Sequence, residues 1–188
     1  MRYFLTFLIG IGLVILVIIL LIRAIFGGGG PTETQTPMID YANSNVIMRL
    51  TIQGPVNSQQ EHREVRIDVS QYSSDLRIIE GYENRVSDSE TFNSNPSAYA
   101  NFLRALDLLR YDEGLDNEER ADERGYCPFG KRFVFEIIDG SSTIQRYWET
   151  DCGEQQGTSL ADVNQVVDLF KAQIPEYGEL VANVEGVH

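Results

Sequence analysis

No Asp or Glu occurs before Glu33, and the only bases in that stretch are Arg2 and Arg23. Histidine is nearly absent as well: His62 and His188 are the two, and neither has a His, Cys or Asp neighbour at metal-ligand spacing. That scarcity removes the HExxH class of zinc hydrolase. GxSxG and SxxK are missing, so no serine nucleophile is framed in the usual way. Only two cysteines are present, Cys127 and Cys152. The expectation is therefore no catalytic residue, no metal site and no cofactor. Gly27 to Gly30 follow an apolar run rather than a strand, so they read as a hinge and not as a phosphate cradle.

The lack of charge over residues 4–22 is itself a signal. This run holds one hydroxyl, Thr6, and otherwise only apolar residues. As a helix it is about 28 Å long, close to the hydrocarbon thickness of about 30 Å. Tyr3, Phe4 and Phe26 suit the two interfaces. The run exceeds the apolar core of a cleaved signal peptide, and no small-residue cleavage site follows it. Residues 1–26 are thus expected to be a single transmembrane signal anchor that meets the bilayer through residues 4–22. Residues 27–37 (GGGGPTETQTP) follow as a flexible linker with a reach of roughly 17–20 Å. Residues 38–188 are then an acidic domain outside the cytoplasm. The flanking charges are nearly balanced, so the cysteines carry more of the argument for an outside, oxidising location.

Of 15 basic residues, 13 remain after Arg2 and Arg23; set against 28 acids they give residues 27–188 a net charge of −15. Such a surface repels nucleic acid and anionic headgroups. Seven of the acids crowd into 112–123: Asp112, Glu113, Asp116, Glu118, Glu119, Asp122 and Glu123. Their spacing is not that of an EF-hand. A solvated, mobile loop is the default reading of such a run, with weak calcium binding as the alternative.

Period-2 patterning predicts strands over 46–52, 62–69 and, more briefly, 75–80, with His62 on a solvated strand edge. Residues 81–94 read as polar and turn-rich. Asn95-Pro96 then opens a helix to about Arg110, with Asn as N-cap and Pro at N1. Two strands over 131–138 and 143–150 flank Asp139-Gly140, a hairpin signal. A second helix opens near Thr158 or Ser159, carries Val163, Val166, Val167, Phe170 and Ile174, and ends at Pro175. The order is β-β-(β)-α-β-β-α, an α+β domain with an antiparallel sheet and two helices on one face.

With Asp139-Gly140 as the turn, facing residues have numbers that sum to 279. Phe135 then faces Ile144, and Phe133, Phe135, Ile137, Ile144 and Trp148 share one face. Cys127 and Cys152 also sum to 279, which places them opposite each other and predicts a disulfide. Tyr126, Phe129, Tyr147 and Trp148 gather near that pair as candidate partner-binding residues.

Over residues 46–174, the order and spacing of elements resemble the layout of small bacterial protease-inhibitor domains of the emfourin type. That resemblance implies an inhibitor-like module acting on extracellular proteases. The residues themselves favour a non-catalytic binding or accessory module of the cell envelope, with an envelope protein as partner. A hydrolase using dispersed carboxylates stands behind both.

Overall fold

The computed structural model describes residues 36–153 and 156–184. The anchor at 1–26 and nearly all of the 27–37 linker lie outside the described residues. Among the described residues, no helix is long and apolar enough to cross a membrane.

Six antiparallel strands form one sheet: β1 (Val46–Gln53), β2 (Arg63–Val69), β3 (Ser73–Glu80), β4 (Arg85–Asn93), β5 (Arg132–Asp139) and β6 (Ser142–Thr150). Their spatial order is β4-β3-β2-β1-β5-β6. The first four strands form a meander. Helix α1 (Pro96–Leu108) then carries the chain back across the sheet so that β5 pairs with β1. Helix α2 (Val163–Lys171) and a short α3 (Tyr177–Leu180) follow the β5-β6 hairpin. The domain is α+β, as the patterning indicates.

One face of the sheet is apolar and meets the helices. Met48, Leu50 and Ile52 on β1, Ile67 on β2 and Phe133, Phe135 and Ile137 on β5 join Phe102, Leu106, Val166 and Phe170 in a single core. Phe102 and Phe170 meet edge to face at 5.1 Å, locking α1 to α2. The Tyr99 hydroxyl donates to the carbonyl of Val46 at 2.8 Å, which fixes α1 along β1. Asn95 caps α1 by accepting from the N–H of Ala98 at 3.0 Å, with Pro96 at the first helical position.

The other face is polar. Asp68 accepts from Arg49 Nε at 2.6 Å and from Arg77 Nη1 at 3.1 Å, tying β1, β2 and β3 together. Both arginines are needed because this carboxylate is buried, and a buried charge without partners costs several kcal/mol.

Several expectations are corrected. Residues 81–94 are not all turn: Arg85–Asn93 form β4, an exposed edge strand. Its Ser, Asp, Glu and Thr residues hide the apolar alternation because neither of its faces is deeply covered. Residues 38–43 form a 3-10 turn, with Met38 and Ala42 buried. The second helix starts later than expected: Asp162, not Ser159, is its cap and accepts from Gln165 N–H at 3.3 Å. Thr158 and Ser159 instead donate their backbone N–H groups to the carbonyl of Trp148. His62 is not on a solvated edge. It is 1% exposed, stacks on Tyr82 at 4.2 Å and has Pro55 O 3.1 Å from its Nδ1.

The hairpin register also differs. Asp139 pairs with Ser142, so Gly140 and Ser141 form the turn, and a bulge follows between Ile137 and Ile138. Beyond the bulge, Phe135 faces Tyr147 and Val134 faces Trp148. An odd shift in register transfers each β6 side chain to the opposite face. Trp148 and Arg146 therefore belong to the polar face, and Ile144 is half exposed rather than in the core.

Candidate functional site

The sheet ends where β1 finishes and β5 begins, and the two cysteines meet at this end. Their Cα atoms are 5.7 Å apart, a geometry compatible with a disulfide bond. The pairing does not come from strand register, which would align Arg132 with Thr150. It comes from the turn Cys127-Pro128-Phe129-Gly130, closed by the Gly130 N–H donating to the carbonyl of Cys127 at 3.3 Å. Cys127 holds a left-handed backbone, φ +44°. Gly130 is required here: a Cβ would lie 2.3 Å from Asp151 Oδ1 and 2.5 Å from Cys127 Sγ.

Two further bonds brace the turn. Asp151 Oδ1 accepts from the N–H of Lys131 at 2.7 Å, and Val56 N–H donates to the carbonyl of Pro128 at 2.8 Å. Phe129 sits at the tip, 89% exposed, and Val56 beside it is half exposed. Three links, the cysteine pair, Asp151 with Lys131 and Val56 with Pro128, hold Phe129 out beside Val56.

The four candidate aromatics do not form one cluster: Tyr126 and Trp148 pack together, and Tyr147 and Phe129 lie elsewhere. Trp148 is fully buried. Its indole Nε1 donates to the carbonyl of Arg120 at 2.6 Å, and the Tyr126 ring packs on it at 5.0 Å. Tyr147 lies on the helix side of the sheet, against Gly114, where a Cβ would come within 2.3 Å of its ring. Phe129 alone of the four is open to a partner.

The acidic segment is solvated in its middle, where Asp116, Glu118 and Glu119 are exposed, but it is held at both ends, where Asp112 and Glu123 are buried. It begins on the helix side, where Gly114 meets Tyr147, and its later part reaches the polar face at β6, through Arg120, Ala121 and Glu123. Glu123 is buried, forms an ion pair with Arg146 and accepts from Gln53 Nε2 at 3.0 Å. Arg146 Nη1 also donates to the carbonyl of Ala121. At the start of the segment, Leu115 N–H donates to Thr158 O at 2.7 Å and Leu160 N–H to Glu113 O at 3.0 Å. Arg124 hydrogen-bonds Asp122 and holds its carboxyl down to about 2. Burial raises the Asp112 carboxyl. Glu123 is the acid that ties the segment to the sheet, and among the described residues these acids do not converge as a cation shell would.

A metal is also poorly served at the cysteine corner. Among the described residues, Cys127, Asp151 and Cys152 bring their ligand atoms within 4.8 Å of one another. A disulfide leaves no thiolate to coordinate. An open polar cleft of about 360 Å³ lies nearby, lined in part by Arg110, Glu149, Thr150 and Ser159. Among the described residues Glu149 is the one carboxylate that lines it; its Oε1 accepts from the N–H groups of Thr150, Gln156 and Gly157 at 2.9, 3.0 and 3.0 Å, while its Oε2 is buried without a partner.

No sequence signal separates Phe129 from the other three aromatics. Exposure depends on the β5-β6 register and on the path of the acidic segment, both of which are tertiary. No protein-family model matches the chain, and no curated protein matches it at a significant level.

Proposed function

We propose that this protein is a membrane-anchored, non-catalytic binding module of the cell envelope, held by residues 4–22 with its acidic domain outside, and that it docks a partner protein through the Phe129 turn. The observation that carries the reading is the exposure of Phe129 at the tip of a turn fixed by the cysteine pair, by Asp151 and by Val56. A rigid aromatic loses little conformational freedom on burial, which is why such residues dominate interface energetics.

Two observations support binding over turnover. Among the described residues the polar cleft offers a single carboxylate, Glu149, with one oxygen held by three amides, where acid–base hydrolysis calls for a pair. The net charge of −15 disfavours nucleic acid and anionic lipid as partners and favours a protein surface.

The test is photo-crosslinking from position 129 in the intact membrane, using the full-length chain. A discrete crosslinked partner is expected, along with its loss from pull-downs of Phe129→Ala. That substitution is expected to change stability by no more than about 0.5 kcal/mol, because Phe129 buries little in the free protein. Equal recovery of the same proteins with and without Phe129 would remove this reading.

A further inference from the structure

The two edges of the sheet are treated differently. At the C-terminal end of β6 the outer backbone is met by another segment: the Trp148 carbonyl accepts from Thr158 and Ser159 N–H at 2.9 and 3.0 Å. At the other edge, β4 pairs with β3 along its inner side. Among the described residues, no backbone partner reaches its outer side. Every β4 residue except Phe92 is exposed. A bulge offsets the β3-β4 register between Ile78 and Ile79, opposite Ser87. The regular part of the free edge is therefore 88–93.

Asp88 and Glu90 lie on the helix side of this edge, opposite Ile78 and Leu76. Asp88 accepts only from the adjacent Ser89 N–H, and no ion pair among the described residues reaches either carboxylate. Beneath them is a small apolar recess walled by Leu76, Ile78 and Leu180.

We infer that the outer edge of β4 takes an extended, basic segment of a partner protein as a seventh strand. A residue directly opposite Asp88 or Glu90 would place its Cβ about 4.5–5.5 Å away. Lysine or arginine suits these positions doubly. The methylene stem lies along the apolar recess while the charged head meets the carboxylate. The partner backbone meanwhile supplies the missing ladder bonds, and alternate side chains give specificity.

A second copy of this chain is disfavoured on the same edge in the register centred on Ser89. Antiparallel pairing about the central residue Ser89 sets Asp88 of one copy opposite Glu90 of the other. Like charges directly opposed are destabilising. The acids that guard the edge against self-association are thus the ones that select a basic strand.

Full-length protein in a neutral detergent tests this, with a fluorescent peptide alternating lysine and valine as the probe and a glutamate–valine peptide as control. The lysine probe is expected to bind and to slow amide exchange within 88–93. D88K/E90K is expected to weaken it about tenfold, two favourable pairs having been made repulsive. F129A is expected to leave probe binding unchanged, which keeps this edge distinct from the Phe129 site. Overturning results are unchanged exchange in β4, equal binding of both peptides, or no effect of the double substitution in a variant whose circular dichroism and melting are intact.

Discussion

The indole nitrogen of Trp148 donates a 2.6 Å hydrogen bond to the carbonyl of Arg120. One strand residue thereby pins the acidic segment to the polar face of the sheet. The ring is wholly buried in doing so.

Trp148 is the only tryptophan in the chain, so its emission reports directly on this junction. Blue-shifted fluorescence is expected in the native protein, moving red in a single step with urea. Trp148→Phe keeps most of the packing but strands the Arg120 carbonyl, at a cost of about 1–2 kcal/mol. Trp148→Ala adds a cavity and is expected to cost about 3–5 kcal/mol. Urea unfolding followed by circular dichroism measures both.

Glycine requirements differ sharply between two positions. A Cβ at Gly157 would lie 1.9 Å from the Trp148 carbonyl oxygen and 2.8 Å from Glu149 Cα. These are all atoms of the β6 backbone, which cannot yield as a flexible side chain would, so Gly157→Ala is expected to lower stability by about 2–4 kcal/mol. At Gly178, in α3, no atom lies within 4 Å of the added carbon. Gly178→Ala is expected to be neutral or to stabilise by up to about 1 kcal/mol. Thermal melts of the two variants side by side give the comparison.

Cys127 and Cys152 are 25 residues apart in sequence. Cross-linking a loop of that length is worth about 3 kcal/mol in the chain-entropy account. Protein purified from the envelope is expected to resist thiol labelling until reductant is added, and reduction is expected to lower the urea midpoint accordingly. Free thiols before reduction would remove the bridge and with it the main argument for an oxidising compartment.

Alkaline pH is expected to destabilise the fold. Burial raises the Tyr99 and Tyr111 hydroxyls, and it pushes Tyr177 up to about 12. An unfolded tyrosine loses its proton near 10, while the folded ones keep theirs. The folded state therefore binds more protons above that pH. Its stability is intact below about pH 10 and falls as pH rises toward the folded values, by at most about 1.4 kcal/mol per unit per tyrosine. Urea midpoints between pH 8 and 11 measure the slope. Tyr111→Phe loses the hydroxyl that donates to the carbonyls of Arg49 and Glu136 at 2.8 and 2.9 Å. It is expected to be less stable at pH 8 and to decline less steeply.

Strands with one buried face were legible because burial imposes alternation. Val65, Ile67 and Val69 are all buried and alternate with polar Glu64, Arg66 and Asp68, of which Asp68 is buried through its pairing with Arg49 and Arg77. Strand β4 was not legible. It is an edge strand whose place depends on the backbone of β3, and hydrogen bonding alone leaves no mark in side-chain hydropathy. The helix at Asn95-Pro96 was legible because capping is local chemistry. The start of α2 was displaced because Ser159 and Asp162 offer similar caps, and Thr158 and Ser159 are claimed by the β6 edge.

Hairpin register alone does not bring Cys127 and Cys152 together: facing residues sum to 279 for an Asp139-Gly140 turn, but the observed register has a different sum and a bulge. The pair meets because the Cys127 turn makes up the difference. The same odd shift moved Trp148 from the presumed core face to the polar one.

By itself the sequence determined the α+β class, the register-independent core positions and the acidic balance of the domain, because each follows from side-chain type at short range. Tertiary structure alone decided which aromatic is displayed, where the acidic segment lies and which sheet edge is open. Those features depend on contacts between residues distant in sequence, such as Trp148 with Arg120 and Glu123 with Arg146, and no local pattern encodes them.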